Sequence, residues 1–336
     1  GSLSDAYGRK PVLLMALFVL AVDYVFMALA SEFWVLLIGR ILAGIAGATY
    51  TTATAYIADI SSPEKRAARF GMVGAAFGIG FVLGPAIGGI AAELHITAPF
   101  WIAAVLSAAN VLFGLFVLPE SLEPKKRRPF WFRDINPFTA IIGAFKTPGL
   151  AIPLICLFVF EFANMVYPVL WAFFTRELFD WSSFTIGISL AGYGILLAGV
   201  QAGLMPVFIN RVGEFRTLQI GILSALIGFI GFGLISTVTG LILVLIFAAL
   251  SDLSPPMITA MAANKVDEDK QGLVQGVIAS LASIAAFLAP LIMTGVFEAF
   301  VDEDGIYLPG APFLISGVLI ALLIPRVWRL RSHAQS

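Results

Sequence analysis

Pro11-Val-Leu-Leu-Met-Ala-Leu-Phe-Val-Leu-Ala-Val-Asp-Tyr-Val-Phe-Met-Ala-Leu-Ala30 decides the architecture. It is a run of apolar residues interrupted by one charge, Asp23. At ~1.5 Å per helical residue it is long enough to cross the ~30 Å hydrocarbon layer of a bilayer. Nine further runs of the same character follow, at 34–57, 70–92, 99–118, 149–174, 184–209, 217–236, 240–262, 273–298 and 311–325. None has the short alternating segments of a membrane barrel. The expected fold is therefore an all-α bundle of ten membrane-spanning helices. Composition agrees: 60% of the 336 residues are hydrophobic and 12% charged, with a mean hydropathy of +0.97. A soluble domain carries about 25% charged residues, so the solvent for this surface is lipid. Cys156 is the only cysteine and lies inside an apolar run, which rules out an internal disulfide. The net charge of −1 indicates no particular partner. The polar start, Gly1 to Asp5, lacks the apolar core of a signal peptide.

The basic residues orient the bundle. With the N-terminal segment in the cytoplasm and the runs alternating, 18 of the 20 lysines and arginines fall on the cytoplasmic side. Arg40 lies inside a span and Arg176 falls outside. A single miscounted span would scramble this asymmetry, so the positive-inside rule supports the count as well as the direction. Both ends are expected in the cytoplasm. The longest cytoplasmic stretch, 119–148, holds Lys125-Lys126-Arg127-Arg128 followed by Pro129-Phe130-Trp131-Phe132. Two readings stand: a linker lying on anionic headgroups, or a solvated linker that merely obeys the charge rule.

The sequence repeats with an offset of 205. Gly8 meets Gly213, Asp59 meets Asn264, Lys65 meets Lys270, Gly71 meets Gly276, and Pro85 meets Pro290. Parallel repeats of six helices are a common transporter plan. The second repeat begins near Pro148, so the first is expected to begin about 57 residues before Gly1, with room for two more spans. The expected organisation is a half-bundle at 1–118 lacking its first two helices, a cytoplasmic linker at 119–148, and a six-helix half-bundle with a short tail at 149–336.

Particular stretches narrow the class. Gly1-Ser2-Leu3-Ser4-Asp5-Ala6-Tyr7-Gly8-Arg9-Lys10-Pro11 resembles the signature loop of the major facilitator superfamily, which joins helices two and three. The match starts at Gly1, so the leading Gly-Ser is expected to be native. Gly80-Phe81-Val82-Leu83-Gly84-Pro85-Ala86-Ile87-Gly88-Gly89 resembles the helix-five signature of drug/proton antiporters. Ala21-Val22-Asp23-Tyr24, Ile38 to Ile45 and Ala55 to Ile60 are similar to the tetracycline/proton antiporter family, as are Thr185 to Ala191 and Val266 to Gly272. The resemblance implies helices three to twelve of a twelve-helix fold and proton-coupled export of amphipathic drugs by alternating access. It also implies a bacterial inner-membrane location, and a monomer whose partners are a small molecule, protons and the bilayer. The chain departs from that family at two positions. Ala225 stands where the family has an acid in helix nine, and Leu197 where it has a histidine in helix eight, while Gln201 is kept.

Ionised groups at mid-bilayer cost roughly 3 kcal/mol or more, which makes intramembrane charges functional candidates. Asp23 and Arg40 lie about equally far from the outer ends of consecutive antiparallel spans, so they are placed to pair. The pair is either a protonatable carboxylate tuned by Arg40 and cavity water, or a static ion pair. Glu161 is near the midplane of helix seven with Asn164 one turn away, and Asp252 lies mid-span before Pro255-Pro256, which must break the helix. These two acids stand to take over the proton role absent at Ala225, or to make interhelical hydrogen bonds. Asn164, Gln201, Thr49 and Asn110 are candidate substrate contacts. The Thr49–Thr54 stretch either lines the cavity or bonds its own backbone. Gly80, Gly84 and Gly88, with Gly89, are expected to let another helix backbone approach, with a kink at Pro85. Asp5, Gly8 and Arg9 are expected gate residues.

Other features carry no chemistry. The glycines at 228, 231 and 233 sit inside a span and read as packing, not a nucleotide loop. His95 and His333 are isolated, and no nucleophile–base–acid set is visible. No enzyme activity, cofactor, metal or nucleic-acid partner is expected. Uptake or facilitated passage of a metabolite remains open, as does a membrane interaction or sensor protein, or an inactive fragment.

Overall fold

The computed structural model of the chain describes residues 2–45, 49–122, 127, 137–266, 271–302 and 305–329. All its regular structure is helical. α1 (Ser2–Tyr7) precedes α2 (Arg9–Leu29), which contains the apolar run around Asp23. The second run is divided into α3 (Phe33–Ile45) and α4 (Thr49–Asp59). α5 (Pro63–Leu94) and α6 (Ala98–Val117) follow. α7 (Pro137–Lys146) leads into α8 (Ala151–Asn164) and α9 (Val166–Phe179), which together make the fifth run. α10 (Ser183–Gly199) continues through a π-helical turn (Val200–Leu204) into α11 (Met205–Val212). α12 (Glu214–Leu234), α13 (Val238–Ser251), α14 (Ser254–Ala263), α15 (Gln271–Val301) and α16 (Ala311–Arg329) complete the chain. Among the described residues eight helical segments are long and apolar enough to cross a membrane, and Phe33–Gly44 and Gly78–Leu94 are shorter apolar helices. All ten runs read from the sequence are accounted for.

The repeat is written into the helix boundaries. α2 and α12 are both 21 residues long, and each bound of α12 lies 205 residues after that of α2. The starts of α3 and α13, and of α4 and α14, keep the same offset. Gly8 (φ 104°, ψ 156°) and Gly213 (φ 84°, ψ 162°) precede α2 and α12 in nearly the same conformation, one open essentially to glycine alone. Pro85 and Pro290 each lie inside the long helix of their repeat.

The breaks have identifiable causes. α13 ends at Ser251, and α14 resumes with Pro255 and Pro256 in its first turn, where the missing N–H groups cost nothing. The π turn at 200–204 comes directly before Pro206, which cannot donate to the carbonyl one turn back. The linker stretch 119–148 contains a helix that its composition does not announce. Ala144 of α7 is buried with Leu150, Leu154, Ala262, Val274, Val277 and Leu281. Residues 123–126 and 128–136, with most of the basic–aromatic cluster, lie outside the described residues.

The chain divides into two compact units, 1–136 with 183–191, and 137–182 with 192–336. In the first, α2 packs against α6, α3 and α4. Gly114 of α6 makes room for Leu14, which a β-carbon there would meet at 2.6 Å. In the second, α12 packs against α13 and α16, and α8 against α14, α15 and α16. In lipid, packing and aromatic geometry hold helices together more than water exclusion does. Accordingly Tyr167, Phe174, Phe229, Phe232 and Phe313 form one interlocked group, with centroids 4.8 Å apart for Phe174–Phe313 and 5.3 Å for Tyr167–Phe229. The glycines of α12 are packing positions as expected: Gly231 faces Val244, and Gly233 faces Leu314 and Gly310.

Candidate functional site

Three polar clusters interrupt this apolar fold. The first lies in the membrane interior of the smaller unit. Asp23 of α2 is 1% exposed, and its Oδ2 pairs with Nη2 of Arg40 on α3. The Arg40 side chain is half exposed, so the pair joins a sealed anion to an accessible cation. The other oxygen, Asp23 Oδ1, is buried without a hydrogen-bond partner among the described residues. It fits only because residue 39 is glycine; a β-carbon there would sit 2.6 Å from it. A buried carboxylate oxygen without a donor is the atom that gains most from a proton. Thr52, in the threonine stretch of α4, is also buried, with no partner for its hydroxyl among the described residues. The side chain of Thr49 lies outside the described residues. Asn110 of α6 is exposed and makes no hydrogen bond among them.

The second cluster closes the end of the same unit at which α2 begins. Arg9 is buried. Its guanidinium pairs with Asp5 at 2.5 Å and Asp59 at 3.1 Å, and donates to Ser4 Oγ at 2.6 Å. Ser121 Oγ donates to the same Asp59 oxygen. The Glu120 carboxylate sits on the first turn of α2. Its Oε1 accepts the N–H of Arg9 at 2.9 Å and that of Leu122 at 3.0 Å, and its Oε2 accepts that of Lys10 at 3.3 Å. A β-carbon at Gly8 would meet this carboxylate and, at 3.1 Å, the Arg127 guanidinium. Asp5 and Arg9 were expected here from the sequence. Asp59, Glu120 and Ser121 were not assigned a role, because each stands at the end of a span and resembles an ordinary boundary residue.

The third cluster belongs to the larger unit. Asp252, in the break between α13 and α14, accepts the hydroxyl of Tyr193 at 2.7 Å and Nδ2 of Asn164 at 3.4 Å. Glu161, one turn before Asn164 on α8, lies within electrostatic reach of Asp252 and has no hydrogen-bond partner among the described residues. Tyr167 on α9 is also within reach of Asp252, and its hydroxyl is buried and unpartnered. No lysine, arginine or histidine pairs with either acid among the described residues. Sequence reasoning named Glu161, Asn164 and Asp252, and the structure gathers them. It missed Tyr193 and Tyr167, since a tyrosine inside a span ordinarily reads as packing. Gln201 is exposed on the π turn and stands apart from this hydrogen-bonded set.

One expectation is corrected. A β-carbon at Gly80, Gly84 or Gly88 would meet nothing within 4 Å, so among the described residues no helix backbone lies against that face. Of these four glycines, Gly89 is the one that makes a close approach among the described residues. A β-carbon there would be 2.7 Å from the Ser183 carbonyl oxygen and 3.0 Å from Gly187 Cα on α10, and Gly187 in turn packs on the Pro85 carbonyl. Four-residue spacing puts glycines on one face, but whether a neighbour occupies that face is a tertiary fact.

A helical membrane bundle built from two offset repeats, with charges held inside each, is the pattern of a transporter. Residues 1–290 match the profile of the Major Facilitator Superfamily, and the chain belongs to it. It is thus a multi-pass membrane transporter rather than an enzyme. Within that class it is 35% identical to the tetracycline resistance protein, class C, of Escherichia coli, over 98% of this chain and 82% of that protein. The human organic anion transporter MFSD10 has a similar structure, with a TM-score of 0.69 at 25% identity over 97% of this chain and 79% of that one. The nucleoside transporter NupG shares the fold, with a TM-score of 0.79 at 15% identity over 98% of this chain and 85% of that one.

Proposed function

We propose that the protein is a proton-driven exporter of amphipathic, drug-like molecules. The observation that carries this is the Asp23–Arg40 pair, a sealed carboxylate with one oxygen left without a donor. A static ion pair would satisfy both oxygens; this one keeps a place for a proton. Similarity to tetracycline resistance proteins supports export. Each proton crossing ~100 mV supplies ~2.3 kcal/mol, enough for a roughly fiftyfold gradient of a neutral substrate. Glu161 and Asp252 are second-half proton sites in this reading, with Asn164, Gln201, Thr49 and Asn110 along the substrate path. Ala225 and Leu197 favour a multidrug or modified range over tetracycline itself. The cluster of Asp5, Arg9, Asp59 and Glu120 is the joint that opens and closes on the cytoplasmic side, while Gly8 and the Gly89–Gly187 contact permit the movement. In this reading both ends lie in the cytoplasm and the membrane is a bacterial inner membrane; the basic residues gathered at one side of the spans support the orientation, and the bacterial relatives the location. The experiment is dye accumulation in energised everted vesicles. Accumulation abolished by a protonophore is expected; accumulation indifferent to it would refute proton drive.

A further inference from the structure

α10 belongs by sequence to the second repeat, yet its first residues, 183–191, lie in the smaller compact unit with α5 of the first repeat. Pro85, Gly89 and Glu93 recur at four-residue steps, so they share one face of α5, at its outer end in the proposed orientation. All three meet the start of α10. Gly187 packs on the Pro85 carbonyl, and a β-carbon at Gly89 would sit 2.7 Å from the Ser183 carbonyl oxygen. Glu93 Oε1 accepts the N–H of Phe184 at 2.9 Å. That N–H is among the first of a helix, which have no partner inside it, and α10 has no acid in its own first turn. The Glu93 carboxylate supplies both an acceptor and the negative charge that this end of the helix dipole favours.

Two features suit this contact to being broken and remade. It is narrow. Glycine meets backbone there, and towards the bilayer centre a β-carbon at Gly80 or Gly84 would meet nothing within 4 Å among the described residues. No interdigitated side chains have to be unlocked for α10 to lift from α5. The second feature is that Glu93 is exposed. Water can solvate the carboxylate and the freed N–H once they part, whereas separating a buried pair would strand both groups. Repeats that rock against one another need a seam of this kind, ordered when shut and readily opened.

We infer that Glu93 is a latch on the outer side of the transporter. It holds the start of α10 on α5 while that side is shut, and lets it go when that side opens. The inference rests on the proposed orientation and alternating access, and adds the residue that sets the balance between the two access states. Glu93 is a positioning residue: it acts through α10. Losing one exposed, charged hydrogen bond at a helix start should raise the outward-open share about three- to tenfold.

The test is labelling of an Ile186→Cys reporter by a membrane-impermeant maleimide in right-side-out vesicles. Ile186 is buried in the first turns of α10. Native Cys156 is buried too, and its background is read in the protein without the reporter. Glu93→Ala should speed labelling about three- to tenfold, and Glu93→Gln by less. Phe184→Pro deletes the donor instead of the acceptor, and proline is tolerated in a first helical turn, as in α6 and α14. It should reproduce the Glu93→Ala effect, and the double variant should add nothing. Glu298→Gln, which removes an exposed acid near the outer end of α15, should change nothing. In everted vesicles none of these variants should label faster. Parental labelling rates in folded Glu93→Ala and Phe184→Pro would overturn the latch. So would an equal rise from both sides, which marks general loosening, or aggregation of both variants on size exclusion, which marks a structural role. If one aggregates, the other decides. Dye accumulation indifferent to a protonophore, with faster labelling of Glu93→Ala, would count against proton drive alone. Protonophore-sensitive accumulation with parental labelling would count against the latch alone.

Discussion

Removing the Glu120 carboxylate is expected to loosen the first turn of α2. That turn has no side-chain cap of its own: residue 8 is glycine. Its first N–H groups are instead met by Glu120, at 2.9 Å for Arg9 and 3.3 Å for Lys10. An anion at a helix N-terminus contributes about 0.3–1 kcal/mol, and a net hydrogen bond about 0.5–1.5 kcal/mol. Because Glu120 is exposed, values toward the lower ends apply to the charge and to the two hydrogen bonds, giving a loss of about 1.3 kcal/mol for Glu120→Ala. Glu120→Gln keeps one acceptor oxygen and loses the charge and the second acceptor, so about 0.5–1 kcal/mol is expected. The assay is thermal unfolding of the purified protein in detergent, with both variants beside the parent. The order parent, Gln, Ala in falling midpoint is the expected result. Variants that unfold with the parent would refute the cap, and a Gln variant as unstable as Ala would refute the division between charge and hydrogen bonding.

Two further substitutions test the geometry of the repeat and the corrected glycine contact. Gly8→Ala and Gly213→Ala both force a β-carbon into a backbone region that costs about 1–3 kcal/mol. Gly8 alone also faces Glu120 and Arg127, so its variant should unfold at the lower temperature; equal midpoints would contradict the contact. Gly89→Ala should cost about 1–3 kcal/mol by overpacking against α10, whereas Gly84→Ala, facing open space, should be near neutral in the same unfolding assay. The reverse order would restore the stripe of glycines as the helix contact.

The spans were legible because lipid imposes a length and a composition that few other structures share. The offset of 205 was legible from five residue pairs, and the structure extends it to helix boundaries that no pair marks. The Asp23–Arg40 pair followed from depth along consecutive antiparallel spans, a one-dimensional argument that survives in three dimensions. What failed needed lateral knowledge. Gly80, Gly84 and Gly88 share a face, but the sequence does not say what lies opposite. Tyr193 reaches Asp252 from 59 residues away in the chain, with no spacing to announce it. Glu120 caps a helix that starts 111 residues earlier, and α7 follows a charged tract that hides its apolar face.

Whether Asp23 carries the coupling proton is read from drug-dependent proton flux in everted vesicles. Asp23→Asn keeps the shape of the side chain and removes its charge, so the protein should fold and bind drug. This variant is expected to exchange substrate downhill, yet to move no protons with it and build no gradient. Full proton-coupled export by Asp23→Asn would rule out Asp23 as the coupling carboxylate.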